Sequence, residues 1–178
     1  MKNLPQFFKY LIGLVVVIAF RLIPHPPNVE PIMTTMMPFG KKWGPWAGLL
    51  FALLSILIYD VVTGTLGTWS ILTAGTYAML GAAAGWWLKN RSSAWHYVGF
   101  SIVATIVYDF ITGVVGSTFL FDMPFMISLT GQIPFTLYHL AGNIVLAAIW
   151  SPILYRWVID NKQLETSQLA ERLGLGRD

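Results

Sequence analysis

Residues 59–68 read YDVVTGTLGT, and residues 108–117 read YDFITGVVGS. Five positions recur in register, as Tyr59/Tyr108, Asp60/Asp109, Thr63/Thr112, Gly64/Gly113 and Gly67/Gly116, and both copies close on a hydroxyl, Thr68 and Ser117. Each copy ends an apolar run long enough to cross a bilayer, which takes about 20 residues. A break and another apolar run then follow. A polar cassette at the ends of two spans predicts an all-helical integral membrane protein with one site built from two similar halves. Gly64 and Gly113 fall where a helix stops on a left-handed residue. Asp60 and Asp109 then sit in a last helical turn, against the negative end of the helix dipole. An acid near the membrane needs donors or a counter-ion. Either each one caps loop amides, or one pairs with Arg21, or they face a pocket and bind a donor on a ligand.

Composition supports the membrane reading. Of 178 residues, 56% are hydrophobic and 11% charged, against about 25% charged in average soluble domains. The net charge of +3 is explained by basic residues flanking membrane helices, so no nucleic-acid partner is implied. The absence of cysteine excludes disulfides, thiolate metal sites and a cysteine nucleophile. Eight Trp, seven Tyr and eleven Phe suit interfacial belts and packed helix contacts. The charged start and apolar stretch look superficially like a signal peptide. They lack a small-residue cleavage site and run into Arg21 and PHPP, which reads as a retained first helix.

Outward from the cassettes, the pattern predicts six spans within residues 1–158 and a cytoplasmic tail over 159–178. The first span covers about 7–23 and stops at Pro24, since proline lacks an amide proton. The second, 32–39, is short: a protein-covered helix or a re-entrant segment. The others cover about 44–62, 69–88, 94–111 and 133–158. In the tail, Leu164, Leu169 and Leu173 have roughly helical spacing, which suggests a short surface helix. Ten of the eleven basic residues fall on one side of six spans, Arg21 being the exception. The positive-inside rule then puts both termini in the cytoplasm and both cassettes outside.

Three further features bear on a site. Gln132, Thr136, His139 and Asn143 are spaced four, three and four, on one face of a helix. They form a polar pocket wall or a set of interhelical hydrogen bonds. The loop 25–31, HPPNVEP, is stiffened by proline and carries His25, Asn28 and Glu30; it is a lid or a plain connector. Trp69 and Tyr77 could stack on a flat ligand, and Trp69 also suits an interface belt. Glu30, Asp60, Asp109 and Asp122 make the cavity acidic, favouring a neutral or cationic nitrogen-containing ligand over a polyanion. There is no HExxH, GxSxG, P-loop or metal-spaced cluster, so no catalytic residue, metal or cofactor is assigned. An alternative is a small membrane enzyme or metal-dependent protein using His139 with Asp109 or Asp60.

The runs NVEPIMTTMMPFGKKWGPWAGLLFALLSILIYDVVTG, GTWSILTAGTYAMLGAAAGWW and GQIPFTLYHLAGNIV give the chain, over about 7–158, a pattern similar to an S-component. S-components are the substrate-binding membrane subunits of energy-coupling factor (ECF) transporters. RLIPHPPNVEP also resembles the opening of a related group of transport proteins. The resemblance implies a subunit of the cell membrane without enzymatic activity. It would bind a vitamin or similar micronutrient from outside, then dock on a membrane scaffold subunit carrying two cytoplasmic ATPases. It further implies that the 25–31 loop is a lid, and that Trp69, Tyr77, Asp109 and the Gln132–Asn143 stripe line the pocket. One departure is that the family's two alanines four apart in the first helix, a docking face, are replaced by Gly13 and Ala19. Gly48–Ala52 or Ala78–Ala82 could serve instead.

Overall fold

Among the described residues, six helices account for the regular structure and there is no strand. The computed structural model describes residues 4–24, 28–91, 93–161 and 164. His25 lies outside the described residues, as do residues 165–178, on which the predicted surface helix falls. The helices are α1 (Leu4–Leu22), α2 (Ile32–Trp43), α3 (Pro45–Thr63), α4 (Thr68–Trp87), α5 (Ala94–Leu120) and α6 (Phe125–Ile159). Among the described residues, α3, α5 and α6 are long and apolar enough to cross a membrane.

The short second element is the hub of the bundle. Every residue from Ile32 to Lys41 is buried, with α3, α4 and α6 packed around it. Met33, Met36 and Met37 fill the space between these neighbours, a use suited to an unbranched, adaptable side chain. Pro38 lies inside α2 and cannot donate to the carbonyl four residues back. That carbonyl, on Thr34, instead accepts the Ser151 hydroxyl of α6 at 2.7 Å. At the adjacent residues, Trp150 Nε1 donates to Thr35 Oγ1 at 3.1 Å. A buried proline is thus tolerated because a neighbouring helix replaces the missing donor.

Small residues set the helix spacing. A Cβ on Gly48 of α3 would strike the Gly81 carbonyl of α4, and one on Gly81 would strike that of Gly48. Gly40 of α2 also faces Gly85 of α4, less tightly. Without a hydrophobic drive between helices in lipid, such contact gains dispersion energy from the two backbones. Gly48 and Ala52 are therefore buried inside the bundle, and Ala78 is 8% exposed. The Gly48–Ala52 pair is not an open docking face, whereas Ala82 is partly exposed. Gly13 is also occupied, with the Phe39 ring where its Cβ would be, in a cluster with Tyr10 and Phe51.

Charged contacts give the bundle two distinct ends. Lys9 Nζ donates to the Ile159 carbonyl at 3.1 Å, Lys42 pairs with Asp160, and Lys41 lies 4.1 Å from the Tyr155 ring centroid. The start of α1 and the ends of α2 and α6 therefore meet at one basic end. Arg21, Glu30 and the first cassette lie away from it.

The two cassettes differ in structure. Gly64 has φ of 70° and stops α3, as its sequence predicts. Gly113 is not left-handed. The chain passes through it as a π-helical stretch, Phe110–Gly116, before a last α-turn ends at Leu120. The fifth helix therefore does not stop near 111, and Asp109 is the sixteenth of its 27 residues. The dipole objection applies to Asp60 and not to Asp109. The sixth helix starts at Phe125, after Pro124, rather than near 133, and runs through Pro134 and Pro152.

Candidate functional site

Midway along α4, α5 and α6 lies a buried polar cluster. Asp109 on α5 is 1% exposed and His139 on α6 is 4% exposed. His139 Nδ1 and Asp109 Oδ1 share a hydrogen bond of 2.8 Å. With the carboxylate ionised, Nδ1 carries the proton and Nε2 remains an acceptor. One turn towards the basic end, Asn143 Nδ2 donates to Thr105 Oγ1 at 2.9 Å. The pairs 109–139 and 105–143 are successive rungs of an antiparallel helix contact.

Two acceptors in this cluster have no partner among the described residues. Asp109 Oδ2 and Asn143 Oδ1 are fully buried and make no hydrogen bond to any described residue. A buried acceptor without a donor costs about 1–3 kcal/mol, more when charged. Such atoms mark a place where a donor from elsewhere gains binding energy.

Aromatic rings and an ion pair enclose the cluster. Tyr77 of α4, 1% exposed, packs on Tyr108 with centroids 4.3 Å apart. Tyr108 and Phe135 each meet the His139 ring edge-on at 5.9 Å. Arg21 lies over the Tyr59 ring at 3.7 Å and 3.4 Å from Glu30. Arg21 therefore pairs with the loop acid and with neither cassette aspartate. The described part of that loop enters the bundle: the Asn28 carbonyl and Val29 lie against Gly142, next to Asn143. Asn28 takes the left-handed conformation, φ 64°, which asparagine tolerates better than most residues.

Of the predicted site residues, Glu30, Tyr77, Asp109, His139 and Asn143 come together, with the Asn28 backbone beside them. Four others lie apart. Asp60 is half-buried at the end of α3 and its side chain bonds to no described residue. Trp69 is 40% exposed and packs on Phe121 at the cassette end. Gln132 and Thr136 line a groove of about 220 Å³ between α5 and α6, walled by Ile106, Phe110, Val114 and Leu137. The Gln132 amide occupies the space a Cβ on Gly113 would fill.

Sequence reasoning overlooked Thr105 as part of this cluster. Ser101, Thr105 and Asp109 recur every four residues on α5, a polar stripe matching the one on α6, and that spacing could have found it. Among the described residues, no group of three or more His, Cys, Asp or Glu could hold a metal ion.

Fold and site define a helical bundle with three helices long and apolar enough to cross a membrane and a buried polar centre. The chain belongs to the family of unknown function DUF6580, which matches residues 1–159. Neither a curated protein nor a solved structure matches the chain.

Proposed function

We propose that the chain is a six-span subunit of the cell membrane that binds a small nitrogen-bearing micronutrient, as the S-component of an ECF-type transporter. The observation that carries this reading is the pair of unpartnered acceptors, Asp109 Oδ2 and Asn143 Oδ1, beside the Tyr77–Tyr108 rings. A flat ligand with N–H donors satisfies both acceptors and stacks on aromatic faces. A polyanion meets a carboxylate instead. In this reading the basic end is cytoplasmic by the positive-inside rule, and the 28–30 segment closes the site from the other side. A scaffold subunit and two ATPases supply the energy. The scaffold docks on a face other than Gly48–Ala52, which α4 covers.

The test is a panel of vitamins and related nitrogen heterocycles added to the purified protein, read by thermal stability. One compound is expected to raise the midpoint, and Asp109→Asn is expected to abolish that rise. A folded protein that responds to none of them overturns the proposal. Co-purification of a scaffold and ATPases with the tagged chain tests the partners separately.

A second reading rests on the Asp109–His139 hydrogen bond, since a carboxylate that fixes the imidazole leaves Nε2 free as a general base. It predicts turnover of a bound compound by the isolated chain, lost in His139→Gln. Stoichiometric binding without turnover excludes it.

A further inference from the structure

At the basic end, a groove of about 540 Å³ lies between the start of α5 and the end of α6. Ala148, Ile149 and Pro152 give it an apolar floor, while Ser93, Arg156 and Trp157 stand on its sides. Four other cations at this end are engaged: Lys9 with the Ile159 carbonyl, Lys42 with Asp160, Lys41 over Tyr155 and Arg91 over Trp87. Arg156 is exposed and makes no hydrogen bond, ion pair or ring contact with any described residue. It stands beside the apolar floor formed by Ala148, Ile149 and Pro152.

We infer that this groove holds one anionic phospholipid, its phosphate on Arg156 and an acyl chain along Ile149 and Ala148. Four features fit that occupant. The Arg156 guanidinium matches a phosphate in charge and geometry, and the amino end of the long helix α5, capped by Ser93, favours a negative charge nearby. Trp157, 70% exposed, is the kind of ring that lies at the headgroup level. Pro152 deprives the Ala148 carbonyl of its helical donor, leaving an acceptor for a headgroup hydroxyl or ammonium. A free phosphate would use only the first two and would lie against hydrocarbon. The lipid uses all four.

Native mass spectrometry of the full chain, released from micelles holding equal amounts of phosphatidylglycerol and phosphatidylcholine, tests this. One phosphatidylglycerol is expected to stay bound at energies that strip phosphatidylcholine. Arg156→Gln should reduce that retention about fivefold, from the strength of one cation near a lipid surface. Arg91→Gln, a charge change outside the groove, should leave it unaltered. Ile149→Trp, which fills the floor while keeping Arg156, should also release the lipid. Equal retention of both lipids, or full retention in both Arg156→Gln and Ile149→Trp, overturns the inference. So does glycerol 3-phosphate displacing the lipid at equal concentration, which would mark a simple anion site.

Discussion

Asp109 and His139 meet at 2.8 Å across a helix interface, with 5% or less of either side chain exposed. A hydrogen bond between membrane helices contributes about 0.6 kcal/mol on average. Removing one partner of a buried pair costs about 3–5 kcal/mol, because an uncompensated charge is left behind. The second effect dominates here. His139→Ala is therefore expected to lower stability by several kcal/mol in chemical denaturation in micelles. Asp109→Leu/His139→Leu should recover most of that loss. If the double variant is no more stable than His139→Ala, the pair is not a buried charge.

How much of this was readable beforehand differs along the chain. The short hub α2, the glycine stop at 64 and the stripe of His139 and Asn143 follow from periodicity and residue type. The second cassette misled for a physical reason. TG in a polar stretch looks the same whether the glycine takes a left-handed conformation, as at 64, or yields its Cβ space to a neighbour, as Gly113 does to Gln132. Only the partner helix decides, and a single strip of sequence does not contain it. The same holds for Arg21, whose choice of Glu30 over either aspartate depends on where the proline loop enters the bundle.

The two cassette glycines should respond differently to alanine. At Gly64 the φ of 70° puts a Cβ against the following carbonyl, at about 1–2 kcal/mol. At Gly113 the obstacle is the flexible end of Gln132, which can swing away. Gly64→Ala should thus be destabilising by itself. The effect of Gly113→Ala should vanish in a Gln132→Ala background. Thermal midpoints of the four proteins decide it: a loss at Gly113 that persists without Gln132 would mean that its backbone is strained too.

Ser151→Ala should be costly despite removing a single oxygen. The Thr34 carbonyl it serves is buried and has no helical donor, because position 38 is proline. Leaving that acceptor empty costs about 1–3 kcal/mol. Pro38→Ala restores an amide donor within α2, so Ser151→Ala should cost much less in that background. Equal costs in both backgrounds would show that the serine acts by packing alone.

Arg21 holds the loop through three contacts that lysine cannot reproduce together: the Tyr59 ring at 3.7 Å, the Ser55 carbonyl at 3.3 Å and Glu30 at 3.4 Å. A planar guanidinium stacks and donates sideways at once, whereas an ammonium is a point charge. A desolvated cation over a ring contributes about 2 kcal/mol. The Glu30 side chain is 30% exposed, and an ion pair so placed is weakened by solvent. Arg21→Lys should accordingly open the loop more than Glu30→Gln does. Hydrogen exchange of the amides at 28–30 measures this, with the larger rise expected in the lysine variant. The reverse order, with Glu30→Gln releasing the loop and Arg21→Lys leaving it protected, would shift the hold on the loop from the ring stack to the ion pair.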